Sequence, residues 1–308
     1  MTGGEIHRLV LCRRVVSDNM KKAYVCVIIT AFLFGTMEVS CKIGGGGLDS
    51  LQLTLLRFVI GAIVLLPFAV AEMRKNNVKL KASDMGQLAL TGIVGIPVSM
   101  VLFQMGVMTT NASTASVLFC VNPVFTMVFA HFLAGESMSR SKVAIMGLAL
   151  LGILFMFRPW DIQGGNSVRG MICMILAAFF FGIYTVASKK VIKKIGMFAQ
   201  ASICFLIGCA VLLVIMLLLD KPVISGISES VPIILYTGII VTGVGYYCFF
   251  KSIQLADATT GSFAFFLKPA IAPVIAVIVL GEDILWNTVA GIMCILGASF
   301  LNILNNRR

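Results

Sequence analysis

The chain has 308 residues, of which 59% are hydrophobic and 12% charged, with a formal net charge of +11. A soluble domain carries about 25% charged residues, so this balance excludes an ordinary water-soluble fold. The apolar runs are each about 20 residues long, enough for a helix to cross a bilayer, and they exclude a membrane β-barrel of short alternating strands.

Residues 1–22 form a basic tail, expected to be cytoplasmic. Within it, Met20-Lys21-Lys22 reads as the start, with 1–19 as an upstream extension; no long apolar signal region precedes it. Span one, 23–43, contains Glu38 and ends near Lys42, which can snorkel to water. Span two, 51–71, contains Arg57 about 9 Å below its outer end at 1.5 Å per residue. Glu38 lies at the same level by this count, which predicts a Glu38–Arg57 pair with a gating or coupling role. A lysine-rich loop, 72–84, leads to span three, 85–106, with Gln104 as a polar candidate for a cavity wall.

Span four, 111–133, contains Asn122-Pro123 near mid-depth and is followed by Gly135-Glu136. Span five, 142–157, and a connector, 158–168, complete the first half. Span six, 169–188, carries Phe179, Phe180 and Phe181, expected mainly as core or lipid-facing packing. Spans seven, 198–219, and eight, 232–251, follow, the latter with Tyr247 as a second candidate wall residue. Span nine, 259–280, holds Lys268-Pro269 about 14 Å from its inner end, where no acidic residue matches the lysine's depth. After Gly281-Glu282 comes span ten, 286–304, and a short end, 305–308.

Lys268-Pro269 corresponds to Asn122-Pro123, because residues 258–282 repeat residues 112–136 at a shift of 146. Ala112, Ser116, Pro123, Gly135 and Glu136 fall on Ala258, Ser262, Pro269, Gly281 and Glu282; at a shift of 147, Lys42 falls on Lys189. Five spans per copy is an odd number, so the copies run in opposite directions through the membrane. The fold class is therefore an all-α integral membrane protein of ten transmembrane helices in two inverted five-helix repeats, 23–157 and 169–304. Lys21, Lys22, Arg74, Lys75, Lys193 and Lys194 all fall on one side, which places both termini in the cytoplasm and makes the basic excess a topology signal rather than a nucleic-acid footprint.

Ionisable groups within spans each cost about 2.5–3.5 kcal/mol or more at mid-depth, so these few residues are the functional candidates. Lys268, Asn122, Gln104 and Tyr247 are expected to bind substrate, with Pro123 and Pro269 as hinges that free backbone carbonyls. Glu136 and Glu282 are expected to shape the next turn or cap the next helix. The nine cysteines form no CxxC pair or Cys/His cluster, so no metal or cofactor is expected. With one histidine and one carboxylate well inside the spans, the chain also lacks an intramembrane catalytic constellation, and no phosphate-binding loop is present.

Phe34-Gly35, Lys42, Arg57, the 112–136 run and its second copy through Gly281-Glu282 resemble the EamA-type transporters of the drug/metabolite transporter superfamily. That resemblance implies ten helices around a cavity and a carrier for small metabolites, amino acids and related compounds among them, often for export from a bacterial cytoplasm. Relatives often carry an acidic residue where Lys268 stands. The expected function is a secondary transporter working by alternating access, with Glu38 as the carboxylate for a coupling proton. An uncoupled facilitator of the same fold and a non-transporting scaffold are the alternatives.

Overall fold

A computed structural model of the chain describes residues 3–157 and 166–282, and the separate positions 286, 289, 290, 293, 294 and 297. Among the described residues there are helices and turns but no strand. Nine helices among the residues described through 282 follow the expected order: α1 (Asp18–Gly45, the end of a helical run from Gly3), α2 (Ser50–Lys75), α3 (Ala82–Thr109), α4 (Ala112–Ala134), α5 (Arg140–Phe157), α6 (Val168–Ile195), α7 (Met197–Leu218), α8 (Ser228–Leu255) and α9 (Ala258–Leu280). Eight of these, α1–α4 and α6–α9, are long and apolar enough to cross a membrane, which gives eight such helices among the described residues where ten were expected. The span predicted at 286–304 lies almost wholly outside the described residues. The two-repeat plan fits this order.

The outward faces carry Leu218, Ile278, Phe132 and Ile28, all strongly exposed, as lipid-facing side chains must be. The inward faces form a large central core rich in phenylalanine, with smaller apolar clusters around it.

Several helices are interrupted where they approach the centre. α1 breaks at Thr36, whose hydroxyl donates to the Leu33 carbonyl at 2.7 Å. α3 widens to a π segment over Val94–Met100, around Pro97, which has no N–H to give to the helix. α8 does the same over Tyr236–Val244, where the Thr242 hydroxyl donates to the Thr237 carbonyl at 2.7 Å. These are the third spans of the two copies, so the distortion repeats along with the sequence. α4 is broken at Cys120–Val121, directly before Asn122-Pro123, and α9 at Phe263.

The copies are held together by α2 against α7 along their full length and by a tight crossing of α3 with α7. At that crossing a Cβ on Gly92 would stand 2.5 Å from the Cys204 carbonyl oxygen, and one on Gly208 would stand 2.6 Å from the Gly92 oxygen. Small residues permit such backbone approach in membrane helices. Gly92→Ala is expected to destabilise the protein by about 1–3 kcal/mol, the usual cost of overpacking. Thermal unfolding in detergent reads this directly, and an unchanged midpoint would show that the crossing can slide apart without loss.

Candidate functional site

The centre of the bundle contains a buried ion pair. The Lys268 ammonium of α9 hydrogen-bonds the Glu38 carboxylate of α1, and both side chains are 0% exposed. Glu38 is the second residue after the α1 break, and Gly35 gives α9 its approach: a Cβ there would stand 2.6 Å from Ile271. The sequence expectation of a Glu38–Arg57 pair is therefore corrected: Glu38 pairs with Lys268. Counting helical rise locates Cα atoms, but lysine carries its charge on a four-carbon stem, and side chains slant toward the N-terminus of their helix. Glu38 thus leans toward the midplane, within Lys268's reach. Three rings surround the ammonium: Phe119 at 5.2 Å, Phe103 at 5.4 Å and Phe265 at 5.8 Å from Nζ.

Arg57 of α2 is also 0% exposed, but no carboxylate meets it among the described residues. Its two terminal nitrogens donate to thioether sulfurs, Nη1 to Met37 at 3.3 Å and Nη2 to Met100 at 3.6 Å. Its Nε has no partner. The guanidinium stacks 4.7 Å from the Phe58 ring and lies 5.8 Å from Phe103, the ring that also faces Lys268. The Tyr246 hydroxyl donates to the same Met100 sulfur at 3.5 Å. The guanidinium and the ion pair thus flank one phenyl ring.

The other candidates divide into two groups. Gln104 joins the centre: its amide donates to the Cys41 carbonyl at 3.2 Å, one turn beyond Glu38, and its Oε1 is unpaired, as is Glu38 Oε2. Asn122 is fully buried, but its amide donates to Ala178 O on α6 at 3.0 Å and its oxygen accepts from Thr126 at 3.3 Å. Pro123 sits in the first turn after the α4 break, where its missing N–H costs little, whereas Pro269 lies inside the continuous Ala264–Leu280 helix. Tyr247 faces elsewhere. It stacks on Phe198 at 5.2 Å beside a cavity of about 270 Å³, lined by Val64, Phe68 and Val244 between α2, α7 and α8. Tyr246, its neighbour in sequence, is the tyrosine that reaches the centre. Phe181 and Phe265 also belong to this core, their rings 5.3 Å apart.

Above and below the centre stand two matched clasps. α9 ends in a left-handed turn at Gly281 (φ 67°), and the following Glu282 reaches the start of α4. Its carboxylate accepts from Ala112 N at 2.8 Å, Ser113 N at 3.1 Å and the Ser113 hydroxyl at 2.7 Å, with the Lys42 ammonium 3.5 Å away. α4 ends in the same turn at Gly135 (φ 66°), and Glu136 reaches the start of α9. It accepts from Ala258 N at 3.3 Å, the Thr259 hydroxyl at 2.8 Å and Lys189 at 2.6 Å. Each glutamate therefore caps a helix of the opposite copy, not the next helix along the chain as expected. Every partner is the repeat equivalent of its counterpart: Glu136 with Glu282, Lys189 with Lys42, Ala258 with Ala112, Thr259 with Ser113. Only a left-handed glycine lets the chain turn back so sharply. The α4 and α9 helices are thereby antiparallel, each bound at both ends by the other.

Burial raises the Glu282 carboxyl, but hydrogen bonds from Ser113 and from the Ala112 and Ser113 amides, together with the Lys42 charge, outweigh it and hold the group below the usual carboxylate range.

Comparison with known proteins agrees with this geometry. A model described as the EamA-like transporter family matches residues 21–158 and again 168–304. A protein of Clostridium kluyveri named as an uncharacterized transporter is 37% identical over 296 residues, covering 94% of this chain and 95% of that protein. One of Streptantibioticus cattleyicolor, named as a probable terminal-alkyne amino-acid exporter, is 22% identical over 266 residues, covering 86% of this chain and 87% of that protein. A solved crystal structure shares the fold with a TM-score of 0.72 at 18% identity, covering 94% of this chain and 98% of its own.

Proposed function

The chain belongs to the EamA-like transporter family, and from that premise we propose that it is a secondary carrier moving a small anionic or zwitterionic metabolite by alternating access. Its bilayer would be the cytoplasmic membrane, with ten spans, both termini inside, and the two five-helix copies at 23–157 and 169–304. The relative named as an amino-acid exporter supports an amino acid or related compound as cargo, and export as the direction.

The observation that carries the reading is the pair of clasps on either side of a sealed, charged centre. Glu282 with Lys42 closes one face and Glu136 with Lys189 closes the other, each joining the two copies. A carrier needs two gates that never open together, and a repeat pair gives two gates of equal construction. In this scheme Lys268, Glu38, Arg57, Gln104 and Asn122 form the central site, while the interrupted α4 and α9 bend near Pro123 and Pro269. Asn122 would release the Ala178 carbonyl as α4 moves.

Glu38 is the carboxylate available for a coupling proton. Its engagement with Lys268 gives the second reading, an uncoupled facilitator in which this ion pair stays intact through the transport cycle. Purified protein reconstituted in vesicles preloaded with an amino-acid mixture should exchange at least one component with its labelled form outside, measured by mass spectrometry. Collapse of the proton gradient should leave equilibrative exchange intact in a facilitator and abolish accumulation in a coupled carrier. Absence of exchange for every compound, in a folded preparation, would remove the carrier reading.

A further inference from the structure

Among the described residues, Arg57 is the charge in the centre that no carboxylate hydrogen-bonds. Lys268 and Glu38 cancel each other, so the buried cluster holds one net positive charge, and it resides on Arg57. Thioether sulfurs are weak acceptors, so Met37 and Met100 leave the guanidinium largely unsatisfied, and Nε has no acceptor at all. An arginine at such depth is expensive unless a partner appears.

We propose that Arg57 binds the anionic group of the cargo, a carboxylate or another oxyanion carrying one negative charge, in the place where the two methionine sulfurs now stand. This rests on the carrier reading above and assigns to Arg57 a binding role in place of the gating role expected from sequence. A guanidinium presents donors in a planar fork that matches the two oxygens of a carboxylate, which a lysine cannot do. Methionine is the side chain best suited to yield the space, because it is unbranched and repacks at little cost. The Phe58 and Phe103 faces hold the guanidinium plane in place while its acceptor changes from sulfur to oxygen. The free acceptors Glu38 Oε2 and Gln104 Oε1 stand in the same cluster, so a cargo that also carries an ammonium or hydroxyl would find partners there. Lys268, by contrast, is a positioning residue that holds Glu38.

The experiment is a thermal-shift titration of the full chain in detergent with glycine, L-alanine, succinate, inorganic phosphate and the uncharged amides glycinamide and L-alaninamide held at a pH where their amines are neutral. Ligands that bind the folded state raise its midpoint by mass action. At least one oxyanion should stabilise the wild type, and its amide counterpart should not. Arg57→Lys, which keeps the charge and loses the fork, should need roughly tenfold more ligand for the same shift. Arg57→Gln should need roughly a hundredfold more or lose the shift altogether. The control Lys221→Gln, which removes a cation from the surface pair with Asp49 and leaves the centre untouched, should retain the oxyanion shift. The proposal is overturned if no oxyanion stabilises the wild type beyond its amide, or if both Arg57 variants respond as the wild type does. Vesicle exchange of the same compounds separates the two readings. A stabilising oxyanion that is never exchanged removes the carrier and keeps the site; exchange of uncharged compounds alone keeps the carrier and removes the site.

Discussion

Lys268→Met should lower the stability of the folded protein by about 3–5 kcal/mol, while Lys268→Met combined with Glu38→Gln should recover most of that loss. Removing the ammonium, which the rings of Phe103, Phe119 and Phe265 surround, strands a carboxylate that is 0% exposed. A buried charge without its partner bears the whole desolvation cost, which the mutual attraction of the pair had offset. Replacing both members removes both costs at once, so the double variant should lie within about 1–2 kcal/mol of the wild type on either side. Unfolding of the purified single and double variants in one detergent gives the coupling energy as a double-mutant cycle. Strictly additive losses would mean that the pair contributes nothing as a pair, and that each side chain is held by its own packing.

This pair also marks where sequence reasoning failed and why. The spans themselves were legible because apolar length is a coarse signal: span nine was expected at 259–280 and is found at Ala258–Leu280. The repeat was legible because identical residues recur at a fixed shift. Partner choice was not, because it depends on side-chain reach and on breaks that a straight-helix count ignores. The break at Thr36 redirects Glu38 relative to the helix that precedes it. That Tyr246 reaches the central cluster was not legible for a related reason. The π segment at Tyr236–Val244 widens the helix just before it, and one extra residue per turn rotates everything that follows. The clasps were half legible: glycine followed by glutamate at two span ends announced helix termination and a cap. Which helix each glutamate would cap was a matter of how the copies interlock, and only the fold supplies that.

Neutralising the two clasps one at a time should open opposite faces of the protein. In Glu282→Gln, the charge-assisted bonds to Lys42, Ser113 and the Ala112 amide are weakened, so the gate they close should open more often. Glu136→Gln should do the same for the gate formed with Lys189, Ala258 and Thr259. Hydrogen bonds to charged groups contribute about 1.5–3 kcal/mol each, and losing the charge from one clasp shifts the balance between open and closed states by roughly tenfold or more. Cys120 is a native reporter: it is fully buried at the α4 break, on the stretch of chain between the clasps. A membrane-impermeant maleimide should label Cys120 faster from the Glu282 face in the first variant and from the Glu136 face in the second, quantified peptide by peptide in vesicles of each orientation. The pH dependence has a definite sign. Because the Glu282 carboxyl is held below the usual carboxylate range, its clasp is fully formed above that range and is lost only as pH falls through the depressed value. Wild-type labelling from that face should therefore stay low across the neutral range in which a thiol reacts with a maleimide, whereas Glu282→Gln should be labelled at the higher rate throughout that range. If both variants opened the same face, the clasps would be structural ties within one rigid body, and the two-gate mechanism would have to be sought in other contacts between the copies.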